Sequence, residues 1–248
     1  MNLPCLLRAN PFPVEAWFDF SCTLTYALPV EEIAARLPRG LVPDTYDGHT
    51  GFLAVAVVQT RRLRPAGLPE WLGHDFVLVG YRFFVRFTNA SGRTLRGLYI
   101  LRSETDKPRM AVLGNLFTRY RYVRTSVHVA AAGDRLEVAD PKTGLEIAVD
   151  LSDEDPVPLP DTSPFPDWKT ARRFCGPMPF TFSIDEDRSR ALIVEGRRTH
   201  WQPQPVRVLG HRVPWLADAG FSHARLANAF VVRDVPYHWE RGHSEPLP

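Results

Sequence analysis

Lysine is almost absent from this chain: of 30 lysine and arginine residues, only Lys107, Lys142 and Lys169 are lysine. Arginine stays protonated at any working pH and cannot condense with a carbonyl. Imine chemistry is therefore confined to three positions, while anion binding through guanidinium forks is open to many. Cysteine is scarce too. Cys5, Cys22 and Cys175 are odd in number, far apart and without C-x-x-C spacing, which excludes a zinc knuckle or redox pair and predicts free thiols in a reducing compartment. No run approaches the roughly 18 apolar residues of a membrane-spanning helix. Residues 1–8 hold one short apolar run broken by Pro4, with no cleavage site behind a proper hydrophobic region. A soluble, cytoplasmic protein is expected. There is no internal repeat, P-loop, dinucleotide fingerprint or G-x-S-x-G elbow, so no cofactor is expected. A formal charge of +2 gives nucleic acid or an anionic membrane no general attraction to the molecule, which leaves a small-molecule ligand as the expected partner. Self-association into a homo-oligomer is left open.

What is present suits a large β-rich core. Hydrophobic residues make up 44% and charged residues 23% of 248 positions, a length that one core can still fill. A single domain over 1–248 is expected, with an irregular proline-bearing arm at 1–16 and an acidic excursion with five prolines at 153–166. Alternation and valine- and aromatic-rich runs predict strands over 17–28, 52–58, 76–88, 95–102, 119–129, 136–139, 145–151, 180–184, 191–195 and 206–209. Helices are predicted at 29–37, where proline and two glutamates suit the first turn, and at 222–230 behind Ser222. The loop 61–73 is long enough to lie over an opening, and its Arg61-Arg62-Leu63-Arg64 cluster would bring charge there. The fold class is α+β, mainly antiparallel β.

The stretch Leu37-Pro38-Arg39-Gly40-Leu41-Val42-Pro43-Asp44, followed by Tyr46-Asp47-Gly48, resembles the opening signature of the YqjF-like family. Arg82-Phe83-Phe84-Val85 and Val213-Pro214-Trp215-Leu216 resemble two further segments of it, so that the likeness runs over 17–215. That family has no settled activity and is grouped with the acetoacetate-decarboxylase-like domains. The resemblance implies a closed, cone-shaped β-barrel with a few short helices, built around a small-molecule cavity. Decarboxylases of that fold place a Pro-Lys-Lys run on a barrel strand, one lysine forming the imine and its neighbour lowering its pKa. The corresponding stretch here is Arg119-Tyr120-Arg121-Tyr122, so the resemblance does not carry that mechanism with it.

Within that frame the candidate ligand-binding residues are Arg82, Arg86, Arg119, Tyr120, Arg121 and Tyr122. On a strand Arg119 and Arg121 share one face and Tyr120 and Tyr122 the other. If the arginines point inward they make an anion site; if the tyrosines do, the cavity is apolar with phenolic donors. Arg82 and Arg86 pose the same question on another strand. Lys107 is an alternative, as a displaced imine lysine, but its acidic neighbours raise its pKa. Asp44, Asp47 and His49 have metal-ligand atoms, as do His200, His211 and His223, yet no spacing matches a known site and no metal is expected. The function expected is binding of a small anionic or carbonyl-bearing metabolite without Schiff-base chemistry. An imine-forming lyase and a non-catalytic structural or interaction module stand as alternatives.

Overall fold

In the computed structural model, which describes residues 7–152, 157–199 and 201–247, the chain runs β1 (Val14–Pro29), α1 (Val30–Ala34), β2 (Leu41–Pro43), β3 (Thr50–Pro65), β4 (His74–Thr88), β5 (Thr94–Thr105), α2 (Pro108–Phe117), β6 (Tyr122–Arg124), β7 (His128–Ala132), β8 (Arg135–Asp140) and β9 (Leu145–Asp150). It continues α3 (Trp168–Cys175), β10 (Phe180–Asp185), β11 (Arg190–Arg198), β12 (Gln204–Pro205), β13 (Arg207–Arg212), α4 (Pro214–Asp218), β14 (Arg225–Trp239) and β15 (His243–Pro246). Cys5 and His200 lie outside the described residues, as do parts of the proline-bearing arm and of the acidic excursion.

The long strands close on themselves. β14 pairs with β1, β1 with β3, β3 with β4 and β4 with β5, all antiparallel; β5 runs parallel to β10, which pairs with β11. The ring is completed where β11 meets β14, with Gly196 opposite Trp239, Arg197 opposite His238 and Arg198 opposite Tyr237. This is the cone-like barrel that the resemblance implied, and closure removes the exposed edges that an open sheet would present.

Side-chain alternation gives each strand two different faces. Cys22, Leu24, Val55, Val57, Val79, Tyr81 and Phe83 point outward into the main core, where a second sheet in the order β13–β9–β8–β7 covers them with Leu136, Val138, Ile147 and Val149. Burying each such chain is worth about 1.5 to 3 kcal/mol. The inward face of the same strands is built from smaller residues, among them Ser21, Thr23, Ala54, Ala56 and Ser103, and they leave space inside the ring.

Three local expectations are corrected, and one helix was not expected. Residues 119–129 are not one strand: Arg121 has φ +54°, so the chain bends there and only Tyr122–Arg124 pairs with β5. Residues 108–117 form α2, with Pro108 in the first turn, where a missing N–H costs nothing. Residues 225–230, read as helix behind Ser222, are instead the start of β14, because pairing with β1 along the whole barrel outweighs one local capping signal. The loop after β3 is also shorter than expected, since β3 runs on to Pro65.

Cys22 and Cys175 are free and buried. Burial pushes the Cys22 thiol up to about 12, and it raises Cys175 as well, with the nearby Asp44 charge adding to the effect. Since the thiolate is the reactive form, both should resist a thiol reagent in the native protein. We expect titration of the denatured, unreduced protein to find all three cysteines, and of the native protein to find Cys5 at most. Recovery of a single thiol after denaturation would show a disulfide and contradict this.

Candidate functional site

The space inside the ring is a cavity of about 190 Å³ walled by β1, β3, β4, β5, β11 and β14, by the segment around Tyr120 and Tyr122, and by the turn after α3. Among the described residues no aspartate, glutamate, histidine or lysine lines it. Its polar side chains include Arg82, Arg198, Tyr120, Tyr122 and Tyr237.

Arg82 lies on the inward face of β4. It is half-buried and lines the cavity, and its Nε is buried with no hydrogen-bond partner. Among the described residues it has no carboxylate partner. Glu104 is occupied by Arg102 Nε at 2.7 Å and by the Tyr81 hydroxyl at 3.2 Å. Asp106 is paired with Lys107 Nζ at 2.8 Å and accepts from Val77 N–H at 2.8 Å. Burial therefore pushes the Arg82 pKa down, while Tyr237, Tyr122 and Tyr120 beside it pull the other way. Tyr122 is itself pushed up to about 12 by burial, and Tyr120 further, so both remain hydroxyl donors at neutral pH. Trp201 Nε1 is buried against this cavity without a partner as well, and the Tyr120 hydroxyl has only the Asn10 side chain beside it. Each unmet polar group of this kind costs about 1 to 3 kcal/mol, a cost that a bound water or ligand group would offset.

The tyrosines are held by α2. Asn115 bonds the Tyr122 backbone twice, donating from Nδ2 to its carbonyl and accepting its N–H at Oδ1, both at 2.8 Å. The left-handed turn at Arg121 sends that side chain outward to Tyr99 Oη at 3.1 Å, while Tyr120 and Tyr122 line the cavity. The structure thus brings Arg82, Tyr120 and Tyr122 together and leaves three of the expected residues elsewhere. Arg119 pairs with Asp185 at 2.8 Å; Arg121 is exposed; Arg86 lies beyond the cavity beside Asp44 at 3.5 Å. Asp44 also takes Arg96 Nε at 2.6 Å, and Arg96 bonds the Arg173 and Phe174 carbonyls, which ties α3 to the barrel.

The other candidates have structural partners. Asp47 accepts the His49 and Thr50 N–H groups in a tight turn, His211 bonds Tyr26 at 3.0 Å, and His223 bonds Glu32. Among the described residues no group of histidine, cysteine and acidic side chains could hold a metal. The arginines at 61, 62 and 64 are paired with Asp19, Asp75, Glu70 and Glu15. Lys107, Lys142 and Lys169 are all exposed, and none lines the cavity.

Residues 16–238 match the family described as an uncharacterized conserved protein, DUF2071 (COG2071). The chain belongs to this family. No curated protein matches it. Among solved structures it is similar to the acetoacetate decarboxylase from Legionella pneumophila subsp. pneumophila str. Philadelphia 1, with TM-score 0.55 at 10% identity over 94% of this chain and 87% of that one. An acetoacetate decarboxylase-like enzyme from Sphingomonas wittichii RW1 gives TM-score 0.54 at 12% identity, covering 95% and 92%. The enduracididine biosynthesis enzyme MppR, complexed with pyruvate, gives 0.52 at 12%, covering 96% and 91%. At such identities these likenesses establish the fold alone, the acetoacetate-decarboxylase-like fold that the sequence resemblance implied.

Two features of this family member's cavity were not anticipated. The first is Arg198 with Tyr237, cross-strand partners at the seam that closes the barrel. Arg198 Nη1 donates to Tyr237 Oη at 3.3 Å and to the Met178 carbonyl at 3.2 Å, and its guanidinium lies 4.6 Å from the Trp201 ring. The second is a set of glycines beneath the polar side chains. A methyl at Gly80 would stand 2.7 Å from Arg82 Nε and Nη2; one at Gly114 would meet the Tyr122 ring; one at Gly196 would meet the Tyr237 hydroxyl. Gly80→Ala should therefore push the Arg82 guanidinium aside at little cost, since the group displaced is the free end of a flexible chain. We expect the melting temperature to stay within about 2 °C of wild type, a change below roughly 1 kcal/mol, while Arg82-dependent binding weakens. A large fall in melting temperature would show the guanidinium to be wedged in place.

Proposed function

We propose that the barrel binds a small organic anion, with or without a carbonyl group, and holds it without forming an imine. The observation that carries this reading is Arg82, a half-buried cation at the cavity whose Nε is buried and which has no carboxylate partner among the described residues, with tyrosine hydroxyls beside it. An uncompensated buried charge is costly, and a ligand carboxylate accepting from the guanidinium would offset that cost. Tyr120 and Tyr122, protonated at neutral pH, would donate to a second oxygen of the ligand, which polarises a carbonyl if one is there. Arg86, Arg119 and Arg121 are not part of this site. The likeness to MppR, solved with pyruvate, is consistent with a cavity for small molecules in this fold. The free buried thiols agree with a cytoplasmic setting, and one domain is the simplest unit for such a barrel.

The test is thermal denaturation with a panel of monocarboxylates and their neutral amides. A ligand at a hundred-fold excess over its Kd stabilises by about 2.7 kcal/mol, or about 5 to 10 °C for a chain of this size. Carboxylates should raise the melting temperature and amides should not; a response to amides alone would contradict the reading.

Borohydride offers a separate check. Incubation with pyruvate or acetoacetate followed by reduction should leave the mass of the protein unchanged, because no lysine lines the cavity. A reduced adduct mapped to Lys107, Lys142 or Lys169 would overturn the non-covalent part of the proposal.

A further inference from the structure

The composition of the cavity says more about its ligand than that it is an anion. Arg198 is held through Nη1 by Met178 and Tyr237 and lies over the Trp201 ring, whereas Arg82 is the cation at the cavity with no partner among the described residues. One unengaged guanidinium matches one carboxylate. The rest of the wall is dominated by apolar and aromatic side chains: Phe18 on β1, Phe76 and Leu78 on β4, Leu98 on β5, and Phe230 and Trp239 from β14. A short, polar keto acid would satisfy Arg82 and leave most of that wall bare. The volume is also informative, because an apolar cavity of about 150 Å³ accommodates a benzene ring, so about 190 Å³ holds a ring together with the few atoms of a carboxylate.

We propose that the ligand is an aryl monocarboxylate, its carboxylate on Arg82 and its ring against the aromatic and aliphatic wall. This rests on the anion-binding reading above and goes beyond it by naming the body of the ligand. Tyr120 and Tyr122 flank the carboxylate end, and the small Ala54 and Ala56 on β3, across from Arg82 and Gly80, leave the guanidinium room at the cavity.

Isothermal titration calorimetry separates the two levels of the proposal, using phenylacetate, pyruvate, succinate and phenylacetamide. Phenylacetate should bind at least about ten-fold more tightly than pyruvate or succinate, the lower end of the gain from burying a phenyl-sized group. Phenylacetamide should show no saturable heat, and Arg82→Gln should abolish phenylacetate binding. Ala56→Leu, which fills space opposite Gly80 where the Arg82 guanidinium lies, should weaken phenylacetate by at least about ten-fold. Pyruvate or succinate binding as tightly as phenylacetate would overturn the aryl assignment and leave the anion reading standing. Phenylacetamide binding as tightly as phenylacetate, or no compound binding at all, would overturn both. The comparison among wild-type titrations decides the matter even if neither variant folds.

Discussion

Arg82→Met is expected to melt at or above the wild-type temperature in the absence of ligand, while binding of an organic anion weakens by at least about thirty-fold. The two halves of this result have one cause. Arg82 has no carboxylate partner among the described residues, its Nε is unbonded, and burial disfavours its charge, so methionine of similar length removes a liability from the empty protein. In the occupied protein the same charge is the group that the ligand needs. Removing one partner of a desolvated charge pair costs about 2 to 5 kcal/mol, which sets the expected loss. Paired thermal melts of wild type and variant, followed by titration with phenylacetate, measure both. A variant melting several degrees lower without ligand would mean that Arg82 holds the empty fold together and would count against a ligand site.

Gly97→Ala should destabilise the protein by about 3 kcal/mol, lowering the melting temperature by some 6 to 12 °C. A methyl group there would lie 2.5 Å from the Phe180 carbonyl oxygen and 2.6 Å from Phe182 Cε2. Phe180 is the residue that faces Gly97 across the parallel pairing of β5 with β10, and this contact is backbone, which cannot swing aside. Gly80 lies on β4, next to β5 in the same sheet, yet the atoms above it belong to a mobile guanidinium, and its alanine variant should be almost silent in stability. The contrast separates a glycine required for strand approach from one that makes room for a side chain. Calorimetric melts of the two variants side by side would show it; equal melting temperatures would mean that the barrel yields at β5–β10 more easily than its geometry indicates.

The barrel was legible because its strands are long and patterned. The valine-rich run at 52–58 and the aromatic run at 81–87 each read as strand, and the inward pairing of Tyr120 with Tyr122 was one of the two arrangements that alternation allowed. Arg82 stood out as a cation inside an apolar strand. Arg86 shows what alternation cannot supply: it marks which face a residue takes, not how far along the barrel it sits, and four residues on from Arg82 the partner is Asp44 rather than the cavity. The bend at Arg121 and the helix beginning at Pro108 were missed for a related reason, since Lys107-Pro108 reads as a turn and as a helix start equally well. Arg198 and Tyr237 were out of reach. They are brought together by closure of the ring, a long-range pairing with no local signature, and the glycines beneath Arg82, Tyr122 and Tyr237 become meaningful only once those side chains have been placed.

The central claim is that Arg82 receives the negative charge of the ligand inside the barrel. Its most direct test is nitrogen-15 NMR of the arginine side chains during titration with phenylacetate, the Arg82 Nε–Hε signal being assigned by its absence from the Arg82→Met spectrum. The account predicts that this signal shifts saturably with phenylacetate and stays in place with phenylacetamide. An Arg82 signal that does not move while phenylacetate demonstrably binds would contradict it.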